Sequence, residues 1–286
     1  MEKAVLKTLI YANIFLFPMK AYEIHKWLIG KQATFWQVEK ALTRLFKKRK
    51  IGNSGDFYFL KNHKQLVLKR KRREKQSEIY FKKAKIFGQF LKIIPWVKLV
   101  GISGGLALEN SEKRDDIDLF LITDKNRLWL SRMLVIFILD FFGVRRKVGM
   151  SFKDARGKFC LNTILDEDHL EQLFKDLYTA HEVLQMKLLW QREGIYTKYL
   201  SDNSWAFKFL PNWIGEKTQI SKRKSQTYKS NLKTFDLLEK IARWIQLKIM
   251  KKPEGMERIQ EGALYLHPLD IRPNILKLYK QKISRA

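Results

Sequence analysis

The stretch VGISGGLALENSEKRDDIDLFLIT, from Val100 to Thr123, holds the residue types and spacing best suited to chemistry. Asp116 and Asp118 alternate with Ile117 and Leu119, and because side chains alternate across a strand both carboxylates face one surface. Two carboxylates so placed repel unless a cation sits between them, a need met by a hard, oxygen-seeking ion such as Mg²⁺ or Mn²⁺. Gly104 and Gly105 stand where a strand hands over to a helix, so unhindered backbone N–H groups can approach a phosphate. Ser103 either adds a hydroxyl contact there or caps the next helix. Leu106 to Asp115, ten residues, make a short helix and a loop, enough to return the next strand beside the first. That arrangement sets triphosphate oxygens over the carboxylates, as in-line phosphoryl or nucleotidyl transfer requires.

The elements that must position these residues follow from periodicity. WVKLVGIS and DIDLFLIT read as buried strands, and residues 105 to 110 as a short helix. A long apolar helix follows over Arg127 to Phe142, then extended runs at 146 to 152 and 158 to 165, which together make an α/β unit on a small mixed sheet. Upstream, Val5, Leu6, Leu9, Ile10 and Ile14 recur with a helical period that Pro18 closes, and Ile24, Trp27 and Leu28 suggest a second helix ending at Gly30. Thr34 and Gln37 form a capping box that opens a third helix, and KKRKIGNSGDFYFLK reads as a hairpin turning at Gly52-Asn53-Ser54-Gly55. A basic helix from about Leu66 to Ile94, with Ile79, Tyr80, Ile86, Phe87, Phe90 and Leu91 as its inward stripe, joins this region to the strands. From Asp168 onward the pattern is helical, including Leu170 to Arg192 and a helix over 227–252.

Composition narrows the function class. The 286 residues are 45% hydrophobic, enough for two or three small domains. The net charge of +28 fits either a polyanionic partner such as nucleic acid or nucleotide, or lysine-rich solvated helix faces. A single cysteine, Cys160, excludes an intramolecular disulfide, with no second thiol is not expected to make a Cys-based zinc site, and reads as a small core residue. His25, His63, His169, His181 and His267 lack ligand-like spacing, and neither His169 nor His181 has a triad partner suggested by spacing. GISGGLA lacks the lysine of a P-loop. Met1 to Pro18 is broken by Lys7 and Asn13 and does not read as a signal peptide. MLVIFILDFFGV is short for a membrane span and contains Asp140, so a buried helix and a cytoplasmic protein with no membrane partner are expected.

The glycine pair, ten residues and then DID inside apolar flanks resemble the signature of the DNA polymerase β-like nucleotidyltransferase superfamily, in particular its minimal branch. The resemblance covers about residues 96 to 168. It implies that Gly104 and Gly105 help hold a nucleoside triphosphate and that Asp116 and Asp118 ligate divalent metal. The family commonly draws a third carboxylate from a later strand. Here KFCLNTIL offers Asn162, with Asp154 and Asp166 at its flanks as substitutes. The family's arginine after the glycine pair is replaced by Leu106-Ala107-Leu108, which leaves Lys113 or Arg114 to supply an anionic contact.

Three helices and a hairpin likewise resemble a winged helix-turn-helix over residues 1–65. In such a unit Lys40, Arg44, Lys47, Lys48, Arg49 and Lys50 would meet phosphates, although the module also serves as a protein-docking unit. The expected organisation is thus an N-terminal winged helix (1–65), a basic linker helix (66–95), an α/β (α+β) nucleotidyltransferase core with a small mixed sheet (96–168) and a C-terminal helical domain (169–286). The expected activity moves an NMP from an NTP to a hydroxyl-bearing acceptor, with Mg²⁺ or Mn²⁺ on Asp116 and Asp118 and release of pyrophosphate. The competing expectation is a nucleotide-sensing, DNA-binding regulator with a degenerate transferase domain. A third is an enzyme acting on an RNA end.

Overall fold

The computed structural model describes residues 1–147, 149–151, 153–213, 232–250, 258–266 and 270–285. His267 and the first five and last two residues of the helix expected over 227–252 lie outside them. The protein is a mixed α/β structure with two small sheets.

The chain begins with helix α1 (Glu2–Ile14), strand β1 (Met19–Lys20), α2 (Ala21–Lys26) and α3 (Phe35–Lys47). The Thr34 Oγ accepts the Gln37 N–H and the Gln37 side chain accepts the Thr34 N–H, so the capping box closes as the sequence suggests. Strands β2 (Ile51–Ser54) and β3 (Phe57–Leu60) complete a sheet of order β1-β3-β2. Its hairpin turns at Gly55-Asp56 rather than across Gly52 to Gly55, because Ser54 pairs with Phe57 and Gly55 supplies the positive φ, +60°. Gly52 instead lies in the strand beneath the Phe59 ring, where a Cβ would collide.

Helix α4 (Leu66–Phe90) buries only half of the expected stripe: Tyr80 and, just past its end, Leu91 are buried and Phe87 packs on the core, but Ile79, Ile86 and Phe90 are exposed, and Arg70, Ser77, Ala84 and Gly88 are buried as well. At Gly88 the helix lies too close to its neighbour for a larger side chain. A Cβ on Gly88 would come within 2.9 Å of the Leu189 side chain.

The second sheet has the order β7-β4-β5-β6-β9-β8 and is built from β4 (Val97–Ile102), β5 (Ile117–Thr123), β6 (Phe159–Asp166), β7 (Lys187–Gln191), β8 (Arg258–Gln260) and β9 (Ala263–Tyr265). The helices around it are α5 (Gly104–Ala107), α6 (Leu128–Phe141), α7 (Leu177–Gln185), α8 (Ile195–Asp202), α9 (Leu232–Ile249) and α10 (Arg272–Ser284). Strands β5 and β6 are parallel, joined through α6, and the other pairs are antiparallel. The segment 169–286, read as helical, therefore also supplies three strands. KLLWQ and ALY are apolar runs too short for periodicity to separate strand from helix. The extended run expected at 146 to 152 reduces, among the described residues, to a bridge between Arg145 and Phe159.

Alternation along the strands divides the core. Val100, Ile102, Leu119, Leu121 and Ile164 pack with α4 and α6 on one face. Leu99, Phe120, Ile122 and Leu165 pack on the other with α7, α8 and α10, in a cluster continuous with α1, α2 and α3. Helix α6 is held by α9, whose Glu239 carboxylate accepts the Trp129 and Leu130 N–H groups at 2.7 and 2.8 Å, supplying the acceptors that the start of a helix lacks. Among the described residues no helix is long and apolar enough to cross a membrane.

Candidate functional site

Asp116 immediately precedes β5 and Asp118 lies within it, so the strand's two-residue repeat turns both toward the face covered by α7. They line a cavity of about 380 Å³ walled by α7, β9 and the start of α10. Ser103 lines it too. Its Oγ is buried, makes no cap to α5 and has no hydrogen-bond partner among the described residues. Of the two expected roles for this hydroxyl, the cap is therefore not the one adopted.

Gly104 joins the two halves of the motif by contact. Its φ is +65°, and a Cβ there would strike the Asp118 carboxylate. Both backbone conformation and space demand glycine. Gly105 has no such constraint, since a Cβ would lie 3.8 Å from the Asn110 carbonyl oxygen. Gly104→Ala is thus expected to cost roughly 2 kcal/mol in urea unfolding, while Gly105→Ala leaves stability unchanged or raises it. Equal losses from both would show that the Asp118 contact is not what selects the glycine.

One of the two carboxylates, Asp116, is paired with a cation of the chain. Arg146 Nη1 donates to Asp116 Oδ2 at 2.5 Å, and its backbone N–H donates to the Phe159 carbonyl at 2.8 Å, which fixes the loop after α6 against β6. Lys113 and Arg114, expected to supply an anionic contact, do not line the cavity, and Arg114 pairs with Glu112 at 3.1 Å. Asp118 has no ion pair among the described residues. Burial, then the neighbouring Asp116 and Glu182, push its carboxyl well above the usual range.

The third position facing the pair is Cys160, not Asn162. Parallel pairing sets Asp118 opposite Cys160, and a register shift after Leu119 then sets Phe120 opposite Thr163 and leaves Asn162 unpaired in the register. Ligand atoms of Asp116, Asp118 and Cys160 all lie within 4.8 Å of one another. Cys160 is accordingly not a core residue, and burial beside two carboxylates pushes its thiol well up. The Asn162 side chain is buried without a partner among the described residues. Asp154 accepts from the Ser151 hydroxyl at 2.6 Å, and Asp166 pairs with His169 Nδ1 at 2.6 Å, so neither substitutes in the cluster. His169 thus has a carboxylate partner, but one outside the cavity.

Helix α7 adds a group that spacing alone did not single out. Asp176 caps it, accepting the Thr179 N–H at 2.9 Å, and its own Oδ2 accepts from Arg272 at 2.8 Å, which ties α7 to α10. Tyr178, Thr179, Glu182 and Val183 then face the cavity, while His181 stacks on Tyr11 with ring centroids 4.4 Å apart. Glu182 has no hydrogen bond or ion pair among the described residues, and burial pushes it up to about 7. Burial lowers His181 to about 3.

These adjacent groups bend stability in opposite directions. Between its ordinary value of 4.5 and about 7, Glu182 is protonated in the folded chain and ionised in the unfolded one, so stability falls as pH rises. Between about 3 and its ordinary 6.5, His181 is neutral in the folded chain and charged in the unfolded one, so stability rises with pH. From 4.5 to 6.5 the two slopes cancel. Glu182→Gln is expected to make the slope of stability against pH more positive than the parent's by about 1.4 kcal/mol per pH unit across that window and to exceed the parent at pH ~8 by on the order of 3 kcal/mol. Urea midpoints between pH ~4 and ~8 read this directly, and a slope equal to the parent's would mean that Glu182 stays ionised on folding.

Comparison with known protein families finds no match to this chain, and no curated protein matches it. Among solved structures, a crystal structure of a toxin-antitoxin with AMP-PNP aligns with 58% of this chain and 97% of its own, at 14% identity and a TM-score of 0.23, too low for the likeness to bear on fold or function.

Proposed function

We propose that the protein is a metal-dependent nucleotidyltransferase, similar to the DNA polymerase β-like superfamily, which moves an NMP from an NTP to a hydroxyl-bearing acceptor. The observation that carries this reading is the juxtaposition at Asp118. Its carboxylate packs against Gly104, shares a cavity face with Asp116 and lacks an ion pair among the described residues, in a chain of net charge +28. The donors fit a divalent ion, since two carboxylates converge beside the unpartnered Ser103 Oγ. Such an ion, held by Asp116 and Asp118, would supply charge neutralisation for the triphosphate and acidity for the acceptor hydroxyl.

The chain's own groups have separate tasks. Ser103 donates to a phosphate oxygen, with Gly104 and Gly105 forming the turn beside it, and Arg146 shares Asp116 with the incoming ligand. Glu182, poised near 7, takes the acceptor hydroxyl's proton near neutral pH. The acceptor oxygen bonds to the α-phosphorus as the bond to pyrophosphate breaks, and pyrophosphate leaves.

A second reading, a nucleotide-sensing DNA-binding regulator, draws on Arg146 at Asp116 and on a thiol at the third position. It also draws on the exposed Lys40, Arg44 and Lys47 of α3, the helix a winged helix-turn-helix would present to DNA. Incubation with each labelled NTP and Mg²⁺ or Mn²⁺ over a panel of hydroxyl acceptors tests the two, with the Asp116→Asn/Asp118→Asn variant as control. Pyrophosphate release above that control supports transfer. NTP binding without release, together with salt-dependent binding to duplex DNA, turns the assignment to the regulator.

A further inference from the structure

We propose that Cys160 is the third ligand of the Asp116–Asp118 metal site and gives it a preference for thiophilic divalent ions of the zinc class over Mg²⁺. The inference rests on the reading that the two aspartates hold a metal, and extends it to which metal.

The placement of Cys160 follows from sheet topology. Parallel pairing of β5 with β6 sets Cys160 beside Asp118, on the face that Asp116 shares. Three donors within 4.8 Å of one another lie no more than about 2.8 Å from a common centre, so small side-chain rotations reach zinc–sulfur and zinc–oxygen distances of about 2.0–2.3 Å. No disulfide competes, since Cys160 is the only cysteine of the chain.

A second observation points to a ligand at the same place. Ser103 lines this cavity, is 7% exposed, and its Oγ has no hydrogen-bond partner among the described residues. A buried hydroxyl left unpaired is costly unless something bound completes it, for instance a water on the metal or a ligand oxygen.

The choice of metal follows from the donor set. A hard ion such as Mg²⁺ demands near-octahedral oxygen and gains little from sulfur, whereas thiolate with carboxylate suits Zn²⁺ and its stand-ins Co²⁺ and Cd²⁺. Arg146 already neutralises part of Asp116, which weakens the oxygen field that Mg²⁺ requires and leaves sulfur as the stronger contributor.

Titration of the full chain with Co²⁺ alone tests this, because a near-ultraviolet thiolate-to-cobalt absorption band can arise here from Cys160 only. The expected result is a saturable band at about one equivalent, abolished in Cys160→Ser and at least ~10-fold weaker in affinity in Asp116→Asn/Asp118→Asn, which keeps the thiol. Cys160→Asp should lose the band and bind Mg²⁺ at least ~10-fold more tightly than the parent by calorimetry. Far-ultraviolet circular dichroism checks that each variant folds. No band, or a band that survives unchanged in the double aspartate variant, overturns the proposal, the latter because the thiol would be binding alone. Since no nucleotide is present, the outcome is separate from transfer: Mg²⁺-dependent NTP turnover with no cobalt band would remove the role of Cys160 and leave the transferase reading standing.

Discussion

Asp118→Asn is expected to lose at least ~10³-fold in pyrophosphate release while melting at a higher temperature than the parent. The first effect follows if Asp118 holds the cation that neutralises charge developing on the triphosphate, since losing about 4 kcal/mol of that stabilisation corresponds to a thousandfold. The second follows from electrostatics already present in the folded chain. Burial and the charges of Asp116 and Glu182 raise the Asp118 carboxyl, so ionising it near neutral pH opposes folding. An amide of the same shape escapes that cost. Because the folded carboxyl holds its proton more tightly than the unfolded one, the gain should be present at pH ~7 to ~8 and vanish in acid. A gain in stability paired with a loss of turnover marks a residue kept for function against stability. An Asp118→Asn variant that is less stable and fully active would sink the metal-site reading, and one that is less stable and inactive would assign Asp118 to structure.

Part of this site was legible in the sequence because it is local. Alternation alone puts Asp116 and Asp118 on one face of a strand, and a strand-to-helix turn explains why a glycine stands at 104. Even there, the reason for that glycine is sharper in three dimensions, since the Asp118 carboxylate and the positive φ both exclude a side chain. What was not legible depends on register and distance. Cys160 faces the pair because parallel pairing of β5 and β6 sets it opposite Asp118, and Asn162 falls out of register through the shift after Leu119, which nothing within KFCLNTIL reports. Arg146 reaches Asp116 across 30 positions of sequence, and Glu182 arrives on a helix whose cavity-facing side is defined only by where α7 docks.

The strands β7 and β9 are hard to tell from helix in the sequence because such short apolar runs fit either period, and β8, Arg-Ile-Gln, carries no strand signal of its own. The exposed half of the α4 stripe, Ile79, Ile86 and Phe90, departs for a different reason. Counting large apolar residues assumes a roomy interface, yet this helix packs closely enough to bury Gly88 and Ala84 and to leave Ile79 and Ile86 in solvent. Its most buried large side chain is a charged one, which no hydrophobic pattern would select.

That side chain, Arg70, is where the largest stability loss is expected. It is 1% exposed, and its guanidinium donates to Glu23 Oε1 at 3.0 Å and to the Leu108 carbonyl at 3.2 Å, pairs with Glu74 at 3.1 Å, and lies 3.8 Å over the Phe17 ring. Helices α2 and α4 and the turn after α5 thus converge on one cation. Glu23 is also committed to α2, taking the Lys20 N–H at 2.7 Å, so it cannot swing out to water without undoing that cap. Burial raises the Glu23 carboxyl and Arg70 opposes that rise, which means that Arg70→Ala strands a charge in the interior. The expected loss is about 3–5 kcal/mol, read from urea midpoints. Arg70→Lys should recover less than half of it, since a single ammonium cannot span Glu23, Glu74 and the Leu108 carbonyl as the planar fork does. Arg70→Met combined with Glu23→Gln should be more stable than Arg70→Met alone, because no charge is then left unpaired, and the coupling in that double-mutant cycle should exceed ~1 kcal/mol. Additive effects of the two substitutions would mean that Glu23 finds water when Arg70 is gone. In that case the turn carrying Leu108, three residues beyond Gly105, would owe its position to packing rather than to this cation.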